Sequence, residues 1–241
     1  MPRYKKKKYY FLVSGGRDST AMVLKALDED LTGTLVYGDT RLNMKQSFDS
    51  LKKLESYTGW PLEIVRYEGE KKPIVVLKES FSKIPQAVEY MKETGVFKRN
   101  MFQCCNILKH KPMIEHAKRQ GVNACFVLGL KGSDQSITRI YRMKQLRELN
   151  TYYRRIVKNN LLYYYPLRDW TEGQVTEKLQ EHGFNNTHSS GCTICPIFCM
   201  FENWRKKDPN TWRRSVQMAD RLGIEHPAQG QQFLTECREI T

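Results

Sequence analysis

The chain has 241 residues, and its 40 Lys and Arg residues against 26 Asp and Glu residues give a formal net charge of +14. That charge favours polyanionic partners such as nucleic acid, although lysines that only solvate the surface would give the same count. No segment approaches the roughly 18 apolar residues of a membrane span, and the N-terminus lacks the apolar run of a signal peptide. We therefore expect a cytoplasmic protein that does not associate with membranes.

Strand-like and helix-like segments alternate through the first half of the chain. The apolar run at residues 9–13 predicts a strand buried on both faces, and a helix-forming segment follows at residues 19–30. Further strands are predicted at residues 33–39, 61–67 and 124–130, with helical segments between them. This alternation predicts an α/β fold with a doubly wound, mainly parallel sheet.

A glycine-rich turn follows the first predicted strand. Residues 14–19 read SGGRDS and lead directly into the first predicted helix. Glycines let the backbone approach a ligand closely and expose consecutive N–H groups, and a helix N-terminus adds positive potential. The turn is therefore suited to hold phosphate, although an ordinary strand–turn–helix connection can also contain a Gly-Gly pair. The Walker pattern does not apply, because no lysine follows the glycines.

Four segments together resemble one family of enzymes. SGGRDS matches the S-G-G-x-D-S loop of the ATP pyrophosphatases, or PP-loop enzymes, which cleave ATP between the α- and β-phosphates. The segments YGDTRLNMKQSF, LGLKGSDQSITR and YPLRDWTEGQV are similar to elements of the phosphoadenylyl-sulfate (PAPS) reductase family. The resemblance spans residues 9–196 and implies the Rossmann-like fold of the adenine nucleotide alpha-hydrolase superfamily.

The resemblance also implies a nucleotide site that binds ATP and Mg²⁺. Asp18 would act in catalysis as a carboxylate on the Mg²⁺ side, and Lys131 stands where the family has an arginine. The implied binding residues are Ser14, Gly15, Gly16, Arg17, Asp18, Ser19, Asp39, Gly129, Lys131 and Arg139.

Four of the seven cysteines form two pairs, Cys104 with Cys105 and Cys192 with Cys195. Four thiolates are soft ligands that select an iron–sulfur cluster or zinc. Zinc sites commonly separate paired ligands by two to four residues, so the adjacent pair favours iron–sulfur. The iron–sulfur members of the family, the adenylyl-sulfate reductases, hold a [4Fe–4S] cluster with a similar arrangement. The resemblance implies the same cluster and ligands here.

The other three cysteines carry weaker signals. Cys125 lies in an apolar strand, where we expect a buried thiol. Cys199 is either an alternative ligand or a packed side chain. Cys237 follows Glu236, as in the catalytic tail of the reductases, and is a candidate nucleophile or sulfur carrier. Residues 238–240 depart from the sequence of that tail, which leaves an inert Cys237 as the alternative.

The complete loop favours an ATP-dependent enzyme that adenylates a substrate for sulfur transfer, similar to the DNA phosphorothioation and tRNA thiolation enzymes of the superfamily. The basic segments at residues 5–8 and 141–165 fit a tRNA or DNA substrate, although a solvated basic surface would look the same. Such an enzyme also needs a sulfur donor, and it could act as a homodimer. One alternative is a sulfonucleotide reductase that takes electrons from a thioredoxin-like reductant and releases sulfite. Another is a non-catalytic iron–sulfur subunit that senses a nucleotide.

A domain boundary is expected near residue 170. Thr171 and Gln174 predict a capping box at the start of a helix that ends at Gly183. We assign residues 1–170 to the nucleotide-binding α/β domain. Residues 171–241 form a C-terminal helical extension that bears the Cys192–Cys195 pair.

Overall fold

A computed structural model describes residues 7–94, 102–121, 123–131, 137–156, 161–185, 192, 194–196 and 209–224. Cys199 and Cys237 lie outside these residues, as do residues 5 and 6 of the basic N-terminal segment. The chain divides into two compact units. Unit 1 comprises residues 1–38, 44–65 and 113–190, and unit 2 comprises residues 39–43, 66–112 and 191–241. The boundary expected near residue 170 stays a prediction.

A six-stranded sheet runs through unit 1. Its strands are β1 (Lys8–Val13), β2 (Gly33–Asp39), β3 (Leu62–Arg66), β4 (Ala124–Leu128), β5 (Tyr153–Ile156) and β6 (Leu161–Tyr164). They lie in the order β3-β2-β1-β4-β6-β5. β1 pairs in parallel with β2 and with β4, β4 pairs in parallel with β6, and β5 is antiparallel to β6. This topology confirms the predicted α/β fold with a mainly parallel sheet.

Eight α-helices lie in the part of the chain that the structure describes. In chain order they are α1 (Arg17–Asp28), α2 (Lys45–Thr58), α3 (Pro73–Phe81), α4 (Ile84–Thr94), α5 (Lys111–Arg119), α6 (Ile137–Glu148), α7 (Glu172–Glu181) and α8 (Pro209–Leu222). A π-helical turn, Asn106–His110, leads into α5. Within the described ranges, no helix is both long and apolar enough to cross a membrane.

The central strands are buried on both faces. Phe11 and Val127 belong to one apolar cluster, while their neighbours Tyr10 and Phe126 belong to another. This alternation explains why the first strand reads as a continuous apolar run. Cys125 is fully buried in β4, as expected, and burial raises the pKa of its thiol to about 12.

The start of α7 has the predicted capping box. The Thr171 hydroxyl oxygen accepts a hydrogen bond from the Gln174 backbone N–H at 3.4 Å, and the Gln174 side-chain oxygen accepts one from the Thr171 N–H at 2.9 Å. Gly183 follows the helix with a φ of +68°, a left-handed conformation that glycine adopts at little cost. The cap and the glycine together fix both ends of α7.

Asp169 joins the end of α6 to the turn before α7. Its carboxylate accepts hydrogen bonds from the side chains of Arg168, Arg147 and Tyr152. Arg168 also donates to the backbone carbonyl oxygens of Leu146 at 3.2 Å and Thr151 at 2.9 Å. The hydrogen bonds to the Asp169 carboxylate, above all the one from Arg168, lower the pKa of Asp169 to about 2.

We predict that Asp169→Asn destabilises the protein in a pH-dependent way. The pKa of Asp169 in the folded state lies below the ordinary value of 3.8, so the carboxylate stabilises the fold above about pH 4. At pH 7 the substitution should lower the free energy of unfolding by about 1 kcal/mol, a figure discounted because the side chain is 40% exposed. The difference should shrink as the pH falls towards 2, because the wild-type carboxylate then becomes protonated.

Urea denaturation at several pH values measures this effect. Asp49→Asn, on the exposed face of α2, is the matched control and should change stability little at any pH. A difference between Asp169→Asn and wild type that stays constant from pH 7 to pH 2 would contradict the electrostatic role of Asp169.

Candidate nucleotide and cysteine sites

The SGGRDS turn lies between β1 and α1 and is folded by its own side chains. The Ser19 hydroxyl donates to the carbonyl oxygen of Gly16 at 3.0 Å and accepts from the Ser14 N–H at 3.2 Å. Gly16 is the N-cap of α1 and provides no side-chain cap. The first N–H groups of a helix have no partner within the helix, so this end of α1 is suited to bind an anion.

Gly15 is held in a conformation that only glycine fits. Its φ is +76°, and a Cβ atom built on it would lie 2.2 Å from the carbonyl oxygen of Ser47 in α2. A larger residue would have to adopt a strained backbone and displace α2 as well. The glycine therefore allows the turn to pack against the backbone of a neighbouring helix.

The segment that follows β4 approaches the same turn. A Cβ atom on Gly129 would lie 2.8 Å from the carbonyl oxygen of Asp18. β1 and β4 are adjacent, and the strand order reverses between them. In open α/β sheets, ligands bind at such a reversal, outside the carboxyl ends of the strands. The turn after β1 and the segment after β4 thus meet at the edge of the sheet where a ligand is expected.

Lys131 contributes a buried positive charge at this edge. Its ammonium nitrogen lies 2.7 Å from Asp18 Oδ2 and 2.9 Å from Glu172 Oε1. The Lys131 side chain is 5% exposed, and the Glu172 side chain is 61% exposed. The two predicted residues Lys131 and Asp18 are therefore in direct contact, and a third charged group from α7 joins them.

Helix α7 makes a second contact with the turn. The Arg17 guanidinium donates to the Thr176 hydroxyl and lies 4.0 Å from Glu172 Oε2. Sequence reasoning missed Glu172 and Thr176. The only signal was the cap at Thr171, which places Glu172 in the first helical turn without indicating its partners.

Two further residues, Asp39 and Arg139, were predicted to bind the nucleotide. Asp39 is the last residue of β2, and its carboxylate accepts hydrogen bonds from the Arg41 N–H at 2.8 Å and from Arg66 Nε at 2.9 Å. Arg139 lies in α6, and its side chain is not among the described groups. The nucleotide-binding roles of both residues stay predictions.

The four predicted ligand cysteines all lie in unit 2. Cys104 is buried, and Cys105, Cys192 and Cys195 are half-buried. Cys105 and burial raise the pKa of Cys104, and Cys195 adds to this effect. Burial raises the pKa of Cys192, to which Cys105 also contributes. Cys105 therefore disfavours the ionisation of both Cys104 and Cys192, which links the two pairs electrostatically.

Hydrogen bonds and apolar packing hold these cysteines in place. The Cys104 backbone N–H donates to the hydroxyl of Ser80 in α3 at 3.0 Å. The Thr40 hydroxyl lies 3.2 Å from the Cys192 sulfur, and Asn43 forms an antiparallel bridge with Cys192. Ile194, between the second pair, is fully buried in the apolar core of unit 2. Each pair is thus anchored by neighbouring residues of the same unit.

We predict that Gly15→Ala lowers the free energy of unfolding by about 3 kcal/mol or more, because it combines backbone strain with a clash against Ser47. Gly59→Ala is the matched control: Gly59 has a φ of +69°, but a Cβ atom there would meet nothing within 4 Å. The control should therefore lose only about 1–2 kcal/mol from backbone strain. Urea denaturation of both variants measures the difference, and equal losses would show that the turn does not depend on its close approach to α2.

Comparison with known proteins identifies the family. Residues 8–189 match the family model described as the phosphoadenosine phosphosulfate reductase domain. The structure is similar to that of phosphoadenylyl-sulfate (PAPS) reductase from Candida auris in a phosphate complex, with a TM-score of 0.51 and 16% sequence identity. That match covers 77% of this chain and 81% of the other, and at this identity it concerns the fold alone.

Two other solved structures are more distant. A predicted subunit of tRNA methyltransferase from Methanocaldococcus jannaschii has a TM-score of 0.44 at 11% identity, covering 97% of this chain and 94% of that chain. The U34-tRNA thiolase NcsA from Methanococcus maripaludis, with its [4Fe-4S] cluster, has a TM-score of 0.43 at 16% identity, covering 93% of this chain and 76% of that chain. No curated protein matches the sequence. The family match covers more than half of the chain, which therefore belongs to the phosphoadenosine phosphosulfate reductase domain family.

Proposed function

We propose that the chain binds ATP at the SGGRDS turn and adenylates a substrate for sulfur transfer. One observation carries this proposal: the complete turn lies where the strand order reverses, with Lys131 and Asp18 in contact beside it. A site for adenosine with a single phosphate needs no such combination of glycine turn, helix N-terminus, buried lysine and carboxylate. A polyphosphate with a bound cation uses each of these groups.

The proposed reaction assigns a role to each group. The N–H groups of the turn and the N-terminus of α1 bind phosphate oxygens, and Asp18 provides an oxygen ligand for Mg²⁺. An oxygen atom of the substrate attacks the α-phosphorus, the bond to the bridging oxygen breaks, and pyrophosphate leaves with the electron pair. Lys131 stabilises the charge that develops on the leaving pyrophosphate. A sulfur nucleophile then attacks the activated atom of the substrate, and AMP leaves with the oxygen.

The cysteines of unit 2 support an iron–sulfur cluster as the cofactor. We propose that Cys104, Cys105, Cys192 and Cys195 are the ligands of one [4Fe–4S] cluster. Cys105 and burial raise the pKa of Cys104, and burial and Cys105 raise that of Cys192; a cationic centre would offset this cost because its ligands bind as thiolates. Such a cluster supplies electron transfer at a potential that hydrogen bonds to its sulfur atoms adjust. Cys237 remains our candidate for the sulfur-carrying nucleophile.

Nucleic acid is the substrate class that the charge of the chain favours. A net charge of +14 gives a polyanion a favourable electrostatic interaction over a long distance. We therefore propose tRNA or DNA as the acceptor of sulfur. The family membership supports a second candidate function, the reduction of an adenylated sulfate with release of sulfite.

We predict that anaerobically purified protein contains about four iron and four sulfide ions per chain, with the visible absorption of an iron–sulfur cluster. Cys192→Ser and Cys195→Ser should lose the cluster, because an alcohol is a poor ligand for iron. Cys125→Ala is the control and should retain it, since Cys125 lies in β4. One zinc ion per chain, with no sulfide and no colour, would contradict the cluster and indicate a zinc site.

The function is tested by two assays on the same anaerobic preparation. With ATP and Mg²⁺, we predict that the protein releases pyrophosphate and that added tRNA or DNA increases this release. The Asp18→Asn substitution should lower the rate of pyrophosphate release at least tenfold. With PAPS or adenylyl sulfate and a thioredoxin, we predict no sulfite. Sulfite without pyrophosphate would establish the reductase instead. If neither pyrophosphate nor sulfite is formed, both enzymatic functions are contradicted and the nucleotide-sensing subunit is favoured.

A further inference from the structure

Three charged side chains of unit 1 form a bridge from the glycine turn to α7. The Lys131 ammonium lies between Asp18, in the first turn of α1, and Glu172, in the first turn of α7. Asp18 is 31% exposed, whereas Glu172 is 61% exposed. Of the two carboxylates, Glu172 is the more exposed and can therefore turn into water with the smaller rearrangement of its surroundings.

Glu172 also lies near Arg17, the cation of the SGGRDS turn itself. One of its carboxylate oxygens is 2.9 Å from Lys131 and the other is 4.0 Å from Arg17. Arg17 is in turn hydrogen-bonded to Thr176 of the same helix. Lys131 and Arg17 thus share Glu172 as a counterion, although cations at a phosphate site would otherwise attract the ligand.

We propose that Glu172 is a positioning residue, a counterion that holds Lys131 at the turn until a nucleotide phosphate replaces it. This inference rests on the proposed function, because it requires a polyphosphate at the SGGRDS turn. When the phosphate arrives, the Lys131–Glu172 ion pair breaks, the exposed Glu172 carboxylate turns into water, and Lys131 contacts a phosphate oxygen. When the product leaves, the ion pair forms again.

The consequence is that Glu172 weakens nucleotide binding. Its negative charge opposes an incoming polyanion, and part of the binding free energy is used to break its ion pair with Lys131. A residue that only supported the fold would have the opposite effect, because its loss would loosen the site. An increase in affinity when Glu172 is replaced therefore distinguishes the counterion from a structural residue.

Isothermal calorimetry tests the proposal, with ATP and with inorganic pyrophosphate as probes in the presence of Mg²⁺. Glu172→Gln should bind both probes about three- to tenfold more tightly than wild type, the usual size of coupling between contacting charges. Glu172→Ala should behave in the same way. Glu177→Gln removes the same charge from an exposed position of the same helix and should leave both affinities unchanged. Lys131→Met should bind both probes more weakly, and thermal denaturation checks that each variant is folded.

The outcomes separate this inference from the function on which it rests. If wild type binds ATP but folded Glu172→Gln and Glu172→Ala bind it no more tightly, the counterion role is wrong and the nucleotide site stands. An equal gain in affinity for Glu177→Gln would also overturn the inference, because the loss of any negative charge on the helix would then have the same effect. If wild type binds neither ATP nor pyrophosphate, both the inference and the proposed function are overturned.

Discussion

The parallel pairing of β1 with β4 is the constraint on which the candidate nucleotide site depends. The chain leaves both strands at the same edge of the sheet, and Gly129 allows the segment after β4 to approach the backbone of Asp18. This approach places Lys131 within 2.7 Å of the Asp18 carboxylate. If either strand were shifted by one residue, its side chains would exchange faces, and these two loops would no longer meet. The buried cores on both sides of the sheet thus fix the geometry of a polar site at its edge.

The two candidate sites carry opposite kinds of electrostatic cost. In the candidate nucleotide site, Lys131 and Arg17 are paired with the carboxylates of Asp18 and Glu172 before any ligand binds. The thiols of unit 2 have no such balance among themselves, because Cys105 raises the pKa of both Cys104 and Cys192. In our proposal a ligand displaces a counterion at the first site, whereas a cationic cofactor would relieve repulsion between thiolates at the second. We therefore propose an exchangeable ligand for the first site and a resident cofactor for the second.

The sequence predicted the features that depend on residues near one another in the chain. The glycine turn, the capping box of Thr171 and the alternation of strands and helices are all local, and the sheet and the cap have the predicted form. Helices α3 and α4 were not predicted, although α3 provides the Ser80 hydroxyl that fixes Cys104. The contact of Lys131 with Glu172 could not be predicted either. It joins residues 41 positions apart along the chain, and it exists only because the fold brings the start of α7 to the carboxyl end of β4.

A crystal structure of the protein grown with Mg²⁺ and a non-hydrolysable ATP analogue tests the central claim most directly. We predict phosphate oxygens within about 3 Å of the N–H groups of Gly15 and Gly16 and of the Lys131 ammonium. We also predict Mg²⁺ between the phosphates and the Asp18 carboxylate. A nucleotide bound elsewhere, with the SGGRDS turn empty and Lys131 still between Asp18 and Glu172, would contradict the central claim.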